Sequence, residues 1–269
     1  MYRSSLLPRR GRNDQRSPQR FWAENKIGRM LTIYPRDRPH VARQSRRTRW
    51  IAPNRSVNID PSVVEGDEGL LSPALEKIIA ALILVFLVPL MIISALLIKM
   101  YDGGPVLFKH RRIGRGGSSF YCLKFRTMTT DADARLAELL ARDEAARREW
   151  ACEHKLRNDP RVTPIGRFMR RSSLDELPQL LNVIRGEMRL VGPRPIVEGE
   201  IPRYGRRFAH YCAVKPGLTG LWQVSGRNDV EYRRRVALDY LYVKRRSVAL
   251  DMWILIATIP AVIQSRGSY

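Results

Sequence analysis

The sequence predicts a mostly helical α+β protein with one membrane-embedded helix followed by one folded domain. Three observations predict this class: a single uncharged run of 21 residues at 78–98, short extended stretches framed by Gly and Pro turns after it, and helix-period patterning further on. Three parts follow: a basic extension and linker over 1–71, the membrane helix over 72–101, and a domain over 102–269.

Residues 1–55 are Arg-rich, without an apolar period, and are expected to be disordered; residues 56–71 turn acidic and Gly-containing, as a linker does. No secretory signal is expected, because the first 30 residues lack an apolar core. Ser72 fits a helix N-cap and Pro73 the first helical position. At 1.5 Å per residue the run 78–98 reaches about 31 Å, close to the hydrocarbon thickness of a bilayer. Lys77 and Lys99 bracket it. Pro89, at its midpoint, removes a backbone donor and predicts a kink or break. A straight helix sets its ends on opposite sides of the membrane, whereas one broken at Pro89 turns back and leaves both on one side. Lys99, Lys109, Arg111, Arg112 and Arg115 place the downstream side in the cytoplasm and leave the upstream side open. Asp102-Gly103-Gly104-Pro105 then reads as a turn, 106–108 as a strand, 114–117 as a loop and 120–128 as a second extended stretch. Leu136, Leu139, Leu140 and Trp150 give 131–151 the pattern of one surface amphipathic helix. The uncharged run 252–263, with Pro260 inside, is too short to span and reads as a core or interfacial helix.

Against 26 acidic residues stand 48 Lys and Arg, a formal charge of +22, and residues 1–55 alone carry +12. Such an excess favours anionic partners: phosphates, nucleic acid or acidic lipid head groups, with the tail suited to an anionic leaflet. Cys122, Cys152 and Cys212 show no C-x-x-C spacing and read as reduced thiols filling apolar space. His40, His110, His154 and His210 suggest no metal cluster.

The densest polar constellation is Asn158-Asp159-Pro160-Arg161, then Arg170-Arg171-Ser172-Ser173-Leu174-Asp175-Glu176-Leu177-Pro178-Gln179, then Gly192-Pro193-Arg194-Pro195. Ser173-x-x-Glu176 matches a capping box, so Asp175 and Glu176 read first as a helix cap. A helix N-terminus also attracts phosphate. Two carboxylates there would repel it unless one holds a divalent cation or attacks phosphorus, and phosphoryl transfer can use both. Arg170, Arg171, Arg194 and Arg227 supply forked donors for phosphate oxygens.

From residue 77 to 269 the chain resembles the bacterial sugar transferases, the monotopic polyprenyl-phosphate phosphoglycosyl transferases. The resemblance rests on Gly104-Pro105-Val106, Arg112-Ile113-Gly114, Lys124-Phe125-Arg126-Thr127-Met128, Asp159-Pro160-Arg161-Val162-Thr163, Ser173-Leu174-Asp175-Glu176-Leu177-Pro178-Gln179, Val191-Gly192-Pro193-Arg194-Pro195 and the string from Lys215-Pro216-Gly217 through Ser225-Gly226-Arg227-Asn228. It implies a monotopic protein of the cytoplasmic (inner) membrane of a bacterium, with a re-entrant helix broken at Pro89 and a cytoplasmic catalytic domain. It implies that Asp175 is the nucleophile, that Glu176 with Asp175 holds Mg2+ or Mn2+, and that Arg112, Lys124, Arg126, Arg170, Arg194 and Arg227 bind substrate phosphates and nucleotide. The reaction implied moves a hexose-1-phosphate from a UDP-hexose to undecaprenyl phosphate, releases UMP and initiates exopolysaccharide synthesis. Lys109-His110-Arg111-Arg112-Ile113-Gly114 and the Arg-Gly-Ser-Tyr ending look most like the succinoglycan-type galactosyl-phosphate transferases, so galactose is the first expectation and glucose the second. Two departures stand out. Lys77 is not followed by the Arg and Asp that the family often carries there, and Val88-Pro89 replaces its usual Ser-Pro, leaving the break to Pro89 alone. The competing readings are a membrane-anchored scaffold, in which Asp175 and Glu176 only cap a helix, and a nucleic-acid-binding protein with a basic tail. The enzyme reading expects no nucleic acid partner.

Overall fold

The computed structural model describes residues 72–153, 156, 158–226 and 230–263. The basic extension, the linker, Arg227 and the C-terminal Arg-Gly-Ser-Tyr lie outside these residues.

The first helix, α1 (Pro73–Asp102), starts as its sequence predicts. Ser72 Oγ accepts the Leu75 N–H at 3.2 Å, and Pro73 occupies the first turn, where its missing donor has no cost. It ends at Gly103, whose φ of 69° lets its N–H return to the Lys99 carbonyl at 2.9 Å. Length and composition suffice to cross a membrane, and only 11% of its most apolar 18-residue window is buried within the protein. The core helix of a soluble domain would be mostly covered. Pro89 departs from expectation: α-helical structure runs unbroken through it. One missing donor and one crowded carbonyl do not interrupt a helix held by its other hydrogen bonds.

Strands β1 (Leu107–Ile113) and β2 (Ser119–Phe125) form an antiparallel hairpin in which Leu107 faces Phe125 and Ile113 faces Ser119. Two helices, α2 (Ala132–Arg142) and α3 (Glu144–Glu153), stand where one was expected. Asp143 is the cause. Its backbone is extended, and its carboxylate accepts the Ala146 N–H at 3.0 Å, capping a new helix. Then come α4 (Pro164–Ser172), a single 3-10 turn (Leu174–Glu176) and α5 (Gln179–Ile184). Strand β3 (Arg189–Val191) lies parallel to β4 (Gly217–Thr219), a pair the sequence did not announce. Between and after them lie α6 (Ile201–Tyr204), α7 (Phe208–Cys212), α8 (Leu221–Val224), α9 (Tyr232–Arg245) and α10 (Val248–Ile263). In α10, Asp251 and Ile254 are fully buried while Ile256 and Ile259 are exposed, so the short apolar run contributes to the core and also keeps an apolar outer face.

One stripe of α1 turns toward the domain: Glu76, Ala80, Leu84, Leu87, Met91, Ser94 and Ile98, at helical spacings of three and four. It is buried at both ends and half-buried in the middle. The first end is fixed by charge, since Arg189 Nε on β3 donates to both Glu76 oxygens at 3.1 and 3.0 Å. The other end is fixed by apolar packing and charge. Ile98 packs with Phe125 of β2 and Met169 of α4, and Asp102 pairs with Arg126 just past β2. Both ends of the apolar helix are thus bound to the same domain.

Replacing Arg189 by Leu leaves Glu76 buried without its counter-ion and is predicted to lower stability by about 3 kcal/mol. Thermal unfolding in detergent measures this, and the Glu76→Leu/Arg189→Leu double variant is expected to recover much of the loss.

Candidate functional site

The hairpin face that carries even-numbered residues holds Phe108, His110 and Arg112 on β1 opposite Lys124, Cys122 and Phe120 on β2. Arg112, Cys122 and Lys124 line one cleft together with Glu176, Gln179, Arg194 and Gln223. Alternation along two paired strands therefore aims two cations at the same space.

The carboxylates arrive from the opposite wall. Ser173 is the only non-glycine residue with positive φ (58°) among the described residues, and it ends α4 in the left-handed region. That reversal throws the chain straight into the 3-10 turn bearing Asp175 and Glu176. Backbone strain of this kind tends to collect at functional sites. The capping box expected at Ser173 and Glu176 does not form: Ser173 makes no side-chain cap, and Glu176 turns away to Lys124. A one-turn 3-10 segment also offers no helix N-terminus of the kind that binds phosphate.

Lys124 Nζ lies 2.6 Å from Glu176 Oε1 and 3.8 Å from Asp175 Oδ2. Arg194 Nη1 stands 4.0 Å from Glu176 Oε1. Asp175 is buried, and burial pushes its carboxyl up to about 6. Lys124, Arg170 and Arg194 oppose the rise, while the Glu176 charge adds to it. Arg112 is pressed downward by burial and then by Arg194. Two guanidiniums held close in a partly buried cleft form a receptor for an anion.

Each charged group has a support. Arg170 Nε donates to Thr127 Oγ1 at 3.0 Å. Arg161 closes a buried pair with Asp159 at 2.7 Å and lies over the Trp150 ring, which fixes the loop leading into α4. Arg112 Nη1 donates to the Pro195 carbonyl at 3.2 Å. Arg194 rests 5.6 Å from the Trp222 ring centroid, within cation–π range. The turn carrying Arg194 is held by close backbone crossing: Gly192 N–H donates to the Thr219 carbonyl at 2.9 Å, and Gly217 N–H to the Pro193 carbonyl at 2.8 Å. A Cβ at Gly192 would stand 2.7 Å from the Gly217 nitrogen, so no larger residue fits this crossing. Leu174 and Leu177, which flank the carboxylates, pack on the cluster that contains Ile98 of α1, as do Met91 and Ala95 of the same helix. Side chains flanking the carboxylates therefore share a packing cluster with the apolar helix.

Of the residues expected to bind phosphate or nucleotide, the structure gathers Arg112, Lys124 and Arg194 beside Asp175 and Glu176, with Arg170 at their edge. Arg171 is exposed. Arg126 is occupied with Asp102 at the end of α1, away from the cleft lining. Arg227 lies outside the described residues. Sequence reading passed over Asn182, fully buried, whose Nδ2 donates to the Tyr121 carbonyl at 2.8 Å and whose Oδ1 accepts the Leu123 N–H at 3.0 Å. It joins β2 to α5 and so sets Lys124 against the carboxylates. Its signal was a lone amide inside the apolar run Leu180-Leu181-Asn182-Val183-Ile184.

The model of the bacterial sugar transferase family matches residues 68–265, about three-quarters of the chain. The chain belongs to this family. The sugar transferase is 51% identical over 201 residues to the exopolysaccharide production protein ExoY of Sinorhizobium fredii, covering 75% of this chain and 89% of that one. To the undecaprenyl-phosphate galactose phosphotransferase of Salmonella typhimurium it is 51% identical over 185 residues, 67% of this chain but 39% of that longer relative. To the UDP-glucose:undecaprenyl-phosphate glucose-1-phosphate transferase of Caulobacter vibrioides it is 39% identical over 203 residues, 72% and 70% of the two chains.

Among the described residues of the sugar transferase, no group of three or more His, Cys, Asp or Glu side chains gathers to hold a metal. Asp175 and Glu176 provide hard oxygen donors at one place, a set suited to Mg2+ when substrate phosphates complete the shell. Substituting Lys124 by Met removes the cation between the carboxylates and is predicted to lower sugar transfer by about 100-fold or more, measured as initial rates on protein of unchanged melting temperature.

Proposed function

We propose that this sugar transferase moves a hexose-1-phosphate from a UDP-hexose to undecaprenyl phosphate through a covalent intermediate on Asp175. The observation that carries the reading is the buried Asp175 and the half-buried Glu176 against Lys124, with Arg112 and Arg194 lining the same cleft as Glu176 and with Leu174 and Leu177 packed beside α1. An Asp175 carboxylate oxygen attacks the phosphorus bonded to the sugar. The bond from that phosphorus to the bridging oxygen breaks, and UMP leaves with the electron pair. A phosphate oxygen of the polyprenyl acceptor then attacks the same phosphorus and expels Asp175 as a free carboxylate, giving the diphosphate-linked sugar. Arg112, Lys124 and Arg194 neutralise the equatorial phosphate oxygens in both steps, and Arg170 shares in holding Asp175 charged. Glu176 and Asp175 would hold Mg2+, with Mn2+ as a substitute; when bound, it neutralises phosphate charge. Asp175 is the more buried of the two acids and Glu176 the one in contact with Lys124, which suits attack for the first and cation binding for the second.

Galactose is the preferred sugar and glucose the second, since two galactose-named relatives stand at 50% and 51% identity while the glucose-named ones, like a third, galactosyl transferase relative, stand at 38–39%. The names of the ExoY relatives support initiation of an exopolysaccharide. The attachment of Glu76 and Asp102 to one domain favours a re-entrant, monotopic helix in the bacterial inner membrane, with both ends and the catalytic domain on the cytoplasmic side. With α1 continuous through Pro89, both contacts hold only when the helix stays against the domain and does not carry its ends to opposite faces of the membrane.

Radiolabelled UDP-galactose and UDP-glucose, offered to membranes with undecaprenyl phosphate, are expected to label lipid and release UMP as first product with ping-pong kinetics. Asp175→Asn is expected to abolish labelling, and normal turnover by this variant would exclude the covalent scheme. Glu176→Gln is expected to weaken transfer chiefly by raising the Mg2+ requirement, and chelation by EDTA to stop it. For topology, single cysteines at Ser72 and Gly103 should both resist an impermeant maleimide in intact cells and react in inverted vesicles; labelling of either from outside defeats the re-entrant reading.

A further inference from the structure

The catalytic cleft holds two neutral amides among its charges, Gln179 and Gln223. Gln223 is tied, since its Nε2 donates to the Leu218 carbonyl at 3.2 Å. Gln179 is not. Only 3% of it is exposed, and its side chain makes no hydrogen bond among the described residues. Buried polar side chains are normally hydrogen-bonded, and an amide left open in a cleft wall takes its partners from what enters the cleft. The backbone aims it there. Leu177 (φ −54°, ψ −36°) and Pro178 (φ −60°, ψ −17°) stay right-handed, so the helical path runs on from the 3-10 turn of Asp175 and Glu176 into α5. Gln179 follows Glu176 by three residues, the spacing that sets two side chains beside each other on one helical face. Both line the cleft, so an uncharged hydrogen-bonding group stands next to the carboxylates on the same wall.

Its chemistry narrows what it meets. Phosphate oxygens without protons only accept, and Arg112, Lys124 and Arg194 already bring donors to the cleft. An amide both donates and accepts, which matches a partner that does the same: a sugar hydroxyl, or the imide edge of uracil. The empty volume of the cleft, about 250 Å3 counting solvent at its mouth, falls short of the roughly 300 Å3 at which pockets for whole drug-sized ligands begin. It suits the reacting end of a donor. At that end the hexose is bonded through oxygen to the attacked phosphorus, whereas the uracil lies a phosphate and a ribose away. The hexose also stays on that phosphorus through both displacements, while UMP departs after the first.

We infer that Gln179 is a substrate-binding residue that exchanges hydrogen bonds with a hydroxyl of the transferred hexose. This assignment rests on the proposed hexose-1-phosphate transfer but not on the covalent route. One contact then serves both half-reactions, holding the sugar still while its phosphorus changes partners.

Donor analogues test this with the full chain purified in detergent. The best UDP-hexose and each of its singly deoxygenated forms are compared by kcat/KM in wild type, Gln179→Leu and Gln179→Met. Wild type is expected to be about tenfold less efficient with at least one deoxy donor, the worth of a neutral hydrogen bond. Both variants are expected to lose about tenfold on the parent hexose and to show no further loss on that deoxy donor. Each ratio compares two donors on one protein, so a smaller folded fraction cancels. Discrimination that survives in both variants, or a wild type indifferent to every deoxy donor, overturns the assignment. So does a variant that keeps the deoxy ratios but no longer rejects a donor methylated on the uracil imide nitrogen, which places Gln179 against the base. Turnover retained by Asp175→Asn defeats the covalent route and leaves these ratios standing. If wild type transfers from no UDP-hexose, the transfer reading fails by itself; dissociation constants of the same donors from calorimetry then replace kcat/KM and decide on Gln179 by the same comparison.

Discussion

A buried carboxylate with a second, half-buried carboxylate next to it stays charged only if a cation stands against both. Lys124 is that cation, and much of the structure serves to keep it there. The hairpin gives it direction, Asn182 fixes the hairpin to α5, and the left-handed turn at Ser173 brings Asp175 and Glu176 to meet it. Arg194, seated on Trp222, and Arg112, held by the Pro195 carbonyl, then complete a positive wall. The result is preorganised electrostatics: the charges that a phosphoryl group needs are set before any substrate arrives.

The second constraint comes from the membrane element. A helix with apolar residues around its whole circumference would ordinarily belong to the lipid alone, yet this one gives a stripe to the protein and fastens each end with an ion pair. Leu174 and Leu177 share their packing cluster with Met91, Ala95 and Ile98. The lipid-side helix and the side chains flanking Asp175 and Glu176 therefore meet in one packing cluster.

Much of this was legible in the residues. The N-cap at Ser72, the loop at 114–117 and the apolar helix followed from local rules, because each is decided by residues close in sequence. The gathering of Arg112, Lys124 and Arg194 about Asp175 and Glu176 was legible from the order of the motifs, since they repeat a family pattern. What escaped was decided by contacts far apart in the chain. Asp143 split one amphipathic helix by choosing a cap over continuation, and Ser173 abandoned a cap because Glu176 found Lys124, some fifty residues away. The parallel pair of β3 and β4 rests on two three-residue strands whose pattern is too short to read, and Arg126 turned from an expected phosphate ligand into the partner of Asp102.

The stripe on α1 has a practical meaning for handling the molecule. Ile98 belongs to the same buried cluster as Phe125 and Met169, and Glu76 completes a charge pair whose other half is in β3. The apolar helix is thus a wall of the globular unit as well as its anchor. Cutting it away does not liberate a soluble catalytic piece; it opens the interior and strands Arg189 and Arg126 without their acids, so any useful fragment of this chain has to keep its greasy end.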